Sequence, residues 1–426
     1  MQANELFPLS SIQTRYFYSS LNGAAHWLPI GLKFDGCIDL VKLQGALDQV
    51  VNKHMMLRTA FDIRDGTPMQ FISSDANTEI RFVGNDESDL ATKIKSTLLE
   101  AARATFTLES KLQLYYLFED WDGRSIFVAM FHHLIFDAVS FGIFVRDLNV
   151  FFNCGQLTEI SGKTYFDYAL SEREDSDREI ASNLDFWIDR FTPIPIRRTF
   201  AGAISHAEPS IEEIELARIP FEISDKAADE FRKLCASHRT TVATGFLALY
   251  AKVIAELSET QDVVITWLSA NRYDYDLHNI IGPFTNPQPL RMEIRATDNF
   301  STLFEVAKHS ALEAITHPIP YDRLVSELEK KGASKATLSQ ARLNMLPALS
   351  GDLIWGDTRK SALYNIGLPG RWQIDIELSI RDTGAHFYGL LHYNRNLLTK
   401  SFADRFVGGI LSCFDTLNAP YCRLGL

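Results

Sequence analysis

Between Ser125 and Phe131 the chain runs SIFVAMF without one charged side chain. Seven such residues are too few for an ordinary helix and read as a strand covered on both faces. KLQLYYLFED precedes it across WDGR, so the two form a hairpin. AVSFGIFVRDLNVFFNCG follows with helical spacing, and Gly155 stands where a C-cap belongs. Earlier, AAHWLPIGLKFDGCID reads as a strand, and LVKLQGALDQVVNKHMML (40–57) as an amphipathic helix. LRTAFDI and PMQFIS are two strands around a turn at RDGTP. DESDLATKIKSTLLEAARATF opens with Asp/Ser start signals and continues at helical spacing.

After the charged helical stretch YFDYALSEREDSDREIASNLDFWIDRF come Pro193, Pro195 and IRRTF, and the texture changes. A boundary near residue 174 divides the chain into 1–173 and 174–426. The second part repeats the grammar of the first with different residues. EIELARIPFEI is a strand, DKAADEFRKLCASH and VATGFLALYAKVIAELS are helices, and DVVITWLSA is a buried strand. NFSTLFEVAKHSALEAITH is a helix, RWQIDIELSIR and HFYGLLHYNR form a late hairpin, and TKSFADRFVGGILSCFDTL closes the chain as a helix. Two α+β halves of similar layout imply an internal pseudo-repeat, and a site between them follows the usual preference of pockets for domain interfaces.

Composition narrows the class. A 426-residue chain that is 46% hydrophobic can bury one large core or two ordinary ones. The formal net charge of −12 disfavours nucleic-acid backbone and anionic membrane surfaces as partners. Five scattered cysteines (Cys37, Cys154, Cys235, Cys413, Cys422) fit neither a disulfide framework nor a zinc site. The start, MQANELFPLSSIQ, lacks the layout of a signal peptide, and no apolar run reaches membrane-spanning length. The expectation is a soluble cytoplasmic protein.

Chemistry concentrates where the apolar strand ends, at His132, His133 and Asp137. Locally, two readings stand: side chains leaving the core to reach a cavity, or hydrogen-bonded loop histidines and a helix-capping aspartate. Other stretches decide between them. HHLIFDA (132–138) resembles the motif HHxxxDG with alanine at its last position. SSIQTRYFY (10–18) resembles SxAQxRxWxL through Ser10, Gln13 and Arg15. KHMMLRTAF (53–61) resembles RHExLRTxF, and YFDYA (165–169) matches YxDYA. IIGPFTNPQPLR (280–291) resembles IGxFVNTxPLR through Gly282, Phe284, Asn286 and Arg291. THPIPYDRLV (316–325) resembles HQDYPFExLV, one residue short, and QARLNML (340–346) is loosely similar to the final motif. In this order, across the whole chain, these stretches resemble the condensation domains of nonribosomal peptide synthetases, in the superfamily of chloramphenicol acetyltransferase.

That resemblance implies an α+β, two-layer fold of two chloramphenicol-acetyltransferase-like lobes, a V-shaped pseudo-dimer with a tunnel open on both faces. It implies attack by an amine on an acyl or aminoacyl thioester. The thioester hangs on the phosphopantetheine arm of an acyl or peptidyl carrier protein supplied in trans, and the acceptor is carrier-bound or soluble. No bound cofactor and no metal is expected, and the enzyme is expected to be a free-standing monomer. His133 is the expected catalytic imidazole, as general base or as positioner and electrostatic stabiliser. His132 and Asp137 are counted with it as the catalytic set, although His132, pointing to the other face of the strand end, has the weaker claim and is better suited to holding the loop. The family pattern pairs Asp137 with Arg291, five residues after Asn286. Arg58 and Arg15 are expected to support the site, while Ala138, Ser140 and Asn286 are expected near substrate, with Ser140 also fit to cap the next helix. Arg197 and Arg198 are candidate cations for carrier docking. Two rival readings remain: an ester-forming or coenzyme A-dependent acyltransferase of the same superfamily, and a catalytically silent recruitment module.

Overall fold

The computed structural model describes residues 5–74, 78–84, 89–120, 122–156, 162–174, 177–200, 203–204, 216–295, 297–346, 354–355, 358–364 and 374–417. By its internal contacts the chain forms two units, one of Met1–Asp175, Ala270–Thr285 and Leu349–Gly370, the other of Ser176–Ser269, Asn286–Ala348 and Arg371–Leu426. The expected single break near residue 174 is thus corrected in one respect. Two segments from the second half, 270–285 and 349–370, belong with the first unit. Hydrophobic periodicity reports local structure, and it carries no sign of which core a loop joins.

The first unit is built on a six-stranded sheet ordered Ile354–Trp355, Thr358–Tyr364, Trp27–Phe34, Ser125–His132, Gln113–Glu119, Ile80–Val83. All eight residues of Ser125–His132 are buried, and the reason lies in what covers each face. Phe127, Ala129 and Phe131 join one cluster with Leu43, Leu47, Phe144 and Leu148 of the helices Leu40–Lys53 and Ala138–Phe152. Ile126, Val128 and Met130 join another with Ile94, Leu98 and Ala102 of the helix Leu90–Arg103. A strand sandwiched this way needs no polar face, which is why its sequence reads as a continuous apolar run. Leu277, Ile280, Ile281 and Phe284 of the incoming segment pack into the first of these clusters.

Local signals hold with two changes. The helix expected over 40–57 ends at Lys53, because His54 is extended and Met55–Arg58 forms a 3-10 turn. The helix Ala138–Phe152 stops at Cys154, which takes the left-handed conformation at φ 57°. Gly155 follows it, its N–H donating to the Val150 carbonyl at 2.8 Å. A side chain on Gly155 would lie 2.7 Å from Val150 Cγ1, so its glycine serves close approach rather than the left-handed step. At RDGTP, Asp65 and Gly66 both have positive φ, as a two-residue hairpin between Thr59–Arg64 and Thr67–Ile72 requires.

The second unit carries its own six-stranded sheet, ordered Asn286–Glu293, Asp262–Ser269, Ala341–Leu346, Ile376–Asp382, Phe387–Tyr393, Ala217–Ile223. Ala341–Leu346 runs parallel to both neighbours. The helices Asp225–Ser237, Val242–Ser258, Phe300–Thr316 and Lys400–Leu417 contribute Phe231, Phe246, Phe304 and Phe406 to one core with Ile376, Leu378 and Ile380. The α+β class expected from the sequence is the class found. Among the described residues no single helix is long and apolar enough to cross a membrane.

Candidate active site

The site grows from the end of the strand Ser125–His132. Its antiparallel register on Trp27–Phe34 sets Trp27 opposite His132, and the next N–H, that of His133, donates to the His26 carbonyl at 2.8 Å. The chain then turns through Leu134–Phe136 into the helix that begins at Ala138. Gln13, fully buried, fixes that turn. Its amide donates to the Leu134 carbonyl at 3.1 Å and to Gln70 Oε1 at 2.8 Å, while its Oε1 accepts from Ser10 N. Ser10 and Gln13 form a capping box on the helix Ser11–Leu21, so the first motif braces the second.

His133 is half-buried. Its Nδ1 lies 3.3 Å from the Phe136 carbonyl. A carbonyl only accepts, so Nδ1 carries the proton and the lone pair of the neutral ring sits on Nε2. The imidazole is stacked on Tyr16, ring centroids 4.7 Å apart and planes within 6°. His132 has the opposite assignment. Its Nδ1 accepts from Leu134 N at 3.2 Å, which leaves Nε2–H to donate to Ser20 Oγ at 3.2 Å. Phe106 stacks on it and Trp27 meets it edge-on. Burial, then the neighbouring His26 and His133, holds the His132 imidazole well below the ordinary histidine range. It is a neutral structural group at 2% exposure, not one presented to substrate.

Asp137, 1% exposed, caps the helix Ala138–Phe152 through Ser140 N at 2.8 Å. It also accepts from Ser140 Oγ, from Phe284 N at 3.1 Å and from Thr285 Oγ1 at 3.3 Å. The pairing with Arg291 does not occur. Arg272 is the partner, its Nη2 3.0 Å from Asp137 Oδ1. Arg272 also donates to the carbonyls of Leu277 and Ile280 at 2.8 and 2.6 Å, and its guanidinium lies 4.1 Å from the Phe284 ring centroid. Arg291 instead forks onto Asp262 with two 2.8 Å bonds and donates to the Pro193 carbonyl. Asp262, on the neighbouring strand, lies beside it with complementary charge, whereas the arginine that reaches Asp137 comes from a loop no spacing rule singles out.

Ser140 is fully buried, and its hydroxyl is taken up by Asp137, Arg272 and both backbone groups of Gly282. The expected contact with substrate gives way to an internal tie. Gly282 has no room for a side chain, since a Cβ would fall 2.2 Å from Tyr165 Cδ2. Tyr165 OH donates to the Pro283 carbonyl at 3.1 Å and accepts from Ser10 Oγ at 2.8 Å, closing the network onto the first motif. Ala138 is half-buried in the first turn of its helix, where alanine is at ease.

The remaining expected residues serve structure. Asn286 donates to the Ile319 carbonyl at 3.0 Å and accepts from Tyr321 N at 3.2 Å, so both ends of its amide hold a turn rather than face substrate. Arg58 ends the 3-10 turn, its carbonyl accepting from Ser73 N. Arg15 lies 5.2 Å from the Tyr16 ring centroid, at the edge of the histidine cluster. Arg198 is buried and donates to the Val264 carbonyl, and Arg197 is bound to Asp375 at 2.6 and 2.8 Å, which removes both as docking cations. His26, Tyr16 and Arg272 carry no sequence signal of a site. Only strand register and a long loop bring them to it.

A family model described as Condensation domain matches residues 3–416. Surfactin synthase subunit 2 of Bacillus subtilis (strain 168) is 28% identical over 331 residues, 76% of this chain and 9% of that protein. Bacitracin synthase 3 of Bacillus licheniformis is 25% identical over 435 residues, 99% of this chain and 7% of that protein. The chain therefore spans less than a tenth of the length of these relatives. Among solved structures, the first condensation domain of the calcium-dependent antibiotic synthetase superposes with TM-score 0.81 at 16% identity, covering 98% of each chain. The X-domain from teicoplanin biosynthesis does so with TM-score 0.77 at 20% identity, covering 98% of this chain and 97% of that one. At such identities the structural likeness establishes the fold alone.

Proposed function

The chain belongs to the condensation-domain family of acyl-transferring enzymes, and from that premise we propose that it forms an amide between an acyl or aminoacyl thioester and an amine in nonribosomal peptide assembly. The donor is held on the phosphopantetheine arm of a carrier protein. The observation that carries the reading is the His133 imidazole: half-buried at a strand end, with Nδ1–H committed to the Phe136 carbonyl and the lone pair on Nε2.

In the proposed reaction the amine nitrogen bonds to the thioester carbon, and a tetrahedral oxyanion forms. His133 Nε2 takes the proton that the nitrogen sheds and hands it to the departing thiolate. The C–N bond forms, the C–S bond breaks, and one proton passes from nitrogen to sulfur. Acid–base assistance of this kind contributes about 10²–10⁴-fold. Asp137, Arg272, Ser140 and Gln13 hold the turn that aims the imidazole and touch no reacting atom.

The test is intact-mass detection of product from an acyl-loaded carrier and a panel of amines, with wild type and His133→Ala. Product should fall by roughly 10²–10⁴-fold in the variant. Equal rates at saturating donor and acceptor would overturn the assignment. A carrier-bound acyl group should also outpace the same group on a short pantetheine or on coenzyme A, and comparable specificity constants would instead favour a soluble-thioester acyltransferase. Product from alcohols but not amines would move the reading to ester formation.

A further inference from the structure

The turn Leu134–Phe136 explains where His133 sits, but not why its ring faces one way. The hydrogen bond from Nδ1 to the Phe136 carbonyl, at 3.3 Å, is long and so a soft restraint on the imidazole. A tilt of the ring about that contact would swing Nε2 through an arc. Its flat contact with Tyr16 opposes such a tilt, because sliding or tilting the imidazole breaks a stack whose planes lie within 6° at 4.7 Å.

Tyr16 is itself held in place. It lies on the capped helix Ser11–Leu21, one turn past Gln13. His26 meets its ring edge-on, centroids 4.9 Å apart at 65°. His26 is anchored in turn by Nε2 to Ser19 Oγ at 2.8 Å, and its own carbonyl accepts from the His133 backbone N–H. One residue therefore grips the histidine's backbone and the tyrosine that covers the histidine's ring. Burial first, then His133 and Arg15, pushes the His26 imidazole down to about 3, so it serves as a neutral clamp near pH 7.

We propose that Tyr16, clamped by His26, is a positioning residue that sets the plane of the His133 imidazole and hence the direction of its Nε2 lone pair. Tyr16 falls at a position that the motif SxAQxRxWxL leaves open, so the motif by itself does not specify the device. It rests on the reading of His133 as the proton-handling group. A base displaced by an ångström loses on the order of 10²-fold in rate while substrate binding is little affected.

Two measurements test it. In the carrier assay, Tyr16→Leu should lower kcat roughly ten- to a hundredfold with KM within about threefold, and Tyr16→Phe, which keeps the stacked ring, should recover most of the loss. In spectra of histidine-labelled protein, the ring protons of His133, assigned by their loss in His133→Gln, should lie upfield under the Tyr16 ring current. They should stay there in Tyr16→Phe and move downfield in Tyr16→Leu. The spectrum of the wild-type protein decides whether the stack exists even if Tyr16→Leu fails to fold. Unshifted His133 protons, or a Tyr16→Leu enzyme with unchanged kcat, would overturn the inference. If His133→Ala is slow while Tyr16→Leu is not, only the positioning role fails. If His133→Ala is itself fully active, the underlying reading fails.

Discussion

Replacing Asp137 by asparagine keeps the shape of the side chain and its ability to cap the helix Ala138–Phe152, but it removes the charge opposite Arg272. Arg272 is 7% exposed and Asp137 1%, so the guanidinium is left as a buried charge without its counter-ion. Breaking one side of such a pair costs about 3–5 kcal/mol. The amide nitrogen would also meet Phe284 N or Ser140 N, where only an acceptor fits. Hydrogen exchange read by mass spectrometry localises the effect. Peptides spanning 132–145 and 272–285 should lose protection by roughly 10²- to 4 × 10³-fold, since about 1.4 kcal/mol is one decade, while the helix Lys400–Leu417 in the other unit serves as the internal reference. Arg272→Met should act on the same peptides. Combined with Asp137→Asn, it should recover about 0.5–3 kcal/mol relative to the sum of the single changes. Arg291→Met, bound to Asp262 instead, should add to Asp137→Asn without coupling. Additivity between Asp137 and Arg272, or coupling between Asp137 and Arg291, would show that the network is wrongly drawn.

Other expectations follow from single contacts. Gly282→Ala places a methyl against the Tyr165 ring and should destabilise the first unit by about 1–3 kcal/mol or more, and the penalty should vanish in a Tyr165→Ala background if that clash is its cause. His26, with a folded pKa of about 3 against an unfolded value near 6.5, binds fewer protons when folded. Stability should therefore be full above pH 6.5 and fall on acidification by about 1.4 kcal/mol per pH unit until pH 3. Urea titrations between pH 7 and 4.5 should show a shallower fall for His26→Gln, and identical slopes would refute the assignment. Burial raises the Asp147 carboxyl, but hydrogen bonds from His54, Arg146 and Lys53 outweigh it and hold the group at about 2. Its contribution of about 2 kcal/mol should persist above pH 4 and disappear between pH 4 and 2. Asp147→Asn should remove that step from the acid-unfolding curve, and an unchanged curve would count against it.

Residues close together in sequence told their own story. The run SIFVAMF, the helix starts at Asp89 and Asp137, and the Asp65–Gly66 turn each specify a local conformation through backbone sterics or periodic burial, and each is found where the pattern puts it. Family resemblance extended this to the motif at His132, His133 and Asp137, because ordered short motifs survive where overall identity does not. What stayed illegible depends on distance along the chain. Arg272 lies 135 residues from Asp137 and reaches it through a loop with no periodicity. His26 and Tyr16 come to His133 only because one strand register sets Trp27 opposite His132.

By itself, then, the sequence determined the α+β class, most of the elements and the position of the histidine pair. These follow from local preferences that each segment expresses alone. Tertiary structure decided which arginine neutralises Asp137, why Ser140 and Asn286 are occupied internally, and which core takes residues 270–285. It also decided which nitrogen of each histidine carries its proton. A tautomer is selected by the backbone group that happens to lie nearby: the Phe136 carbonyl, an acceptor, for His133 Nδ1, and the Leu134 N–H, a donor, for His132 Nδ1. Adjacent histidines in a sequence are chemically identical, and they come to differ only when a strand end turns their two faces toward different neighbours.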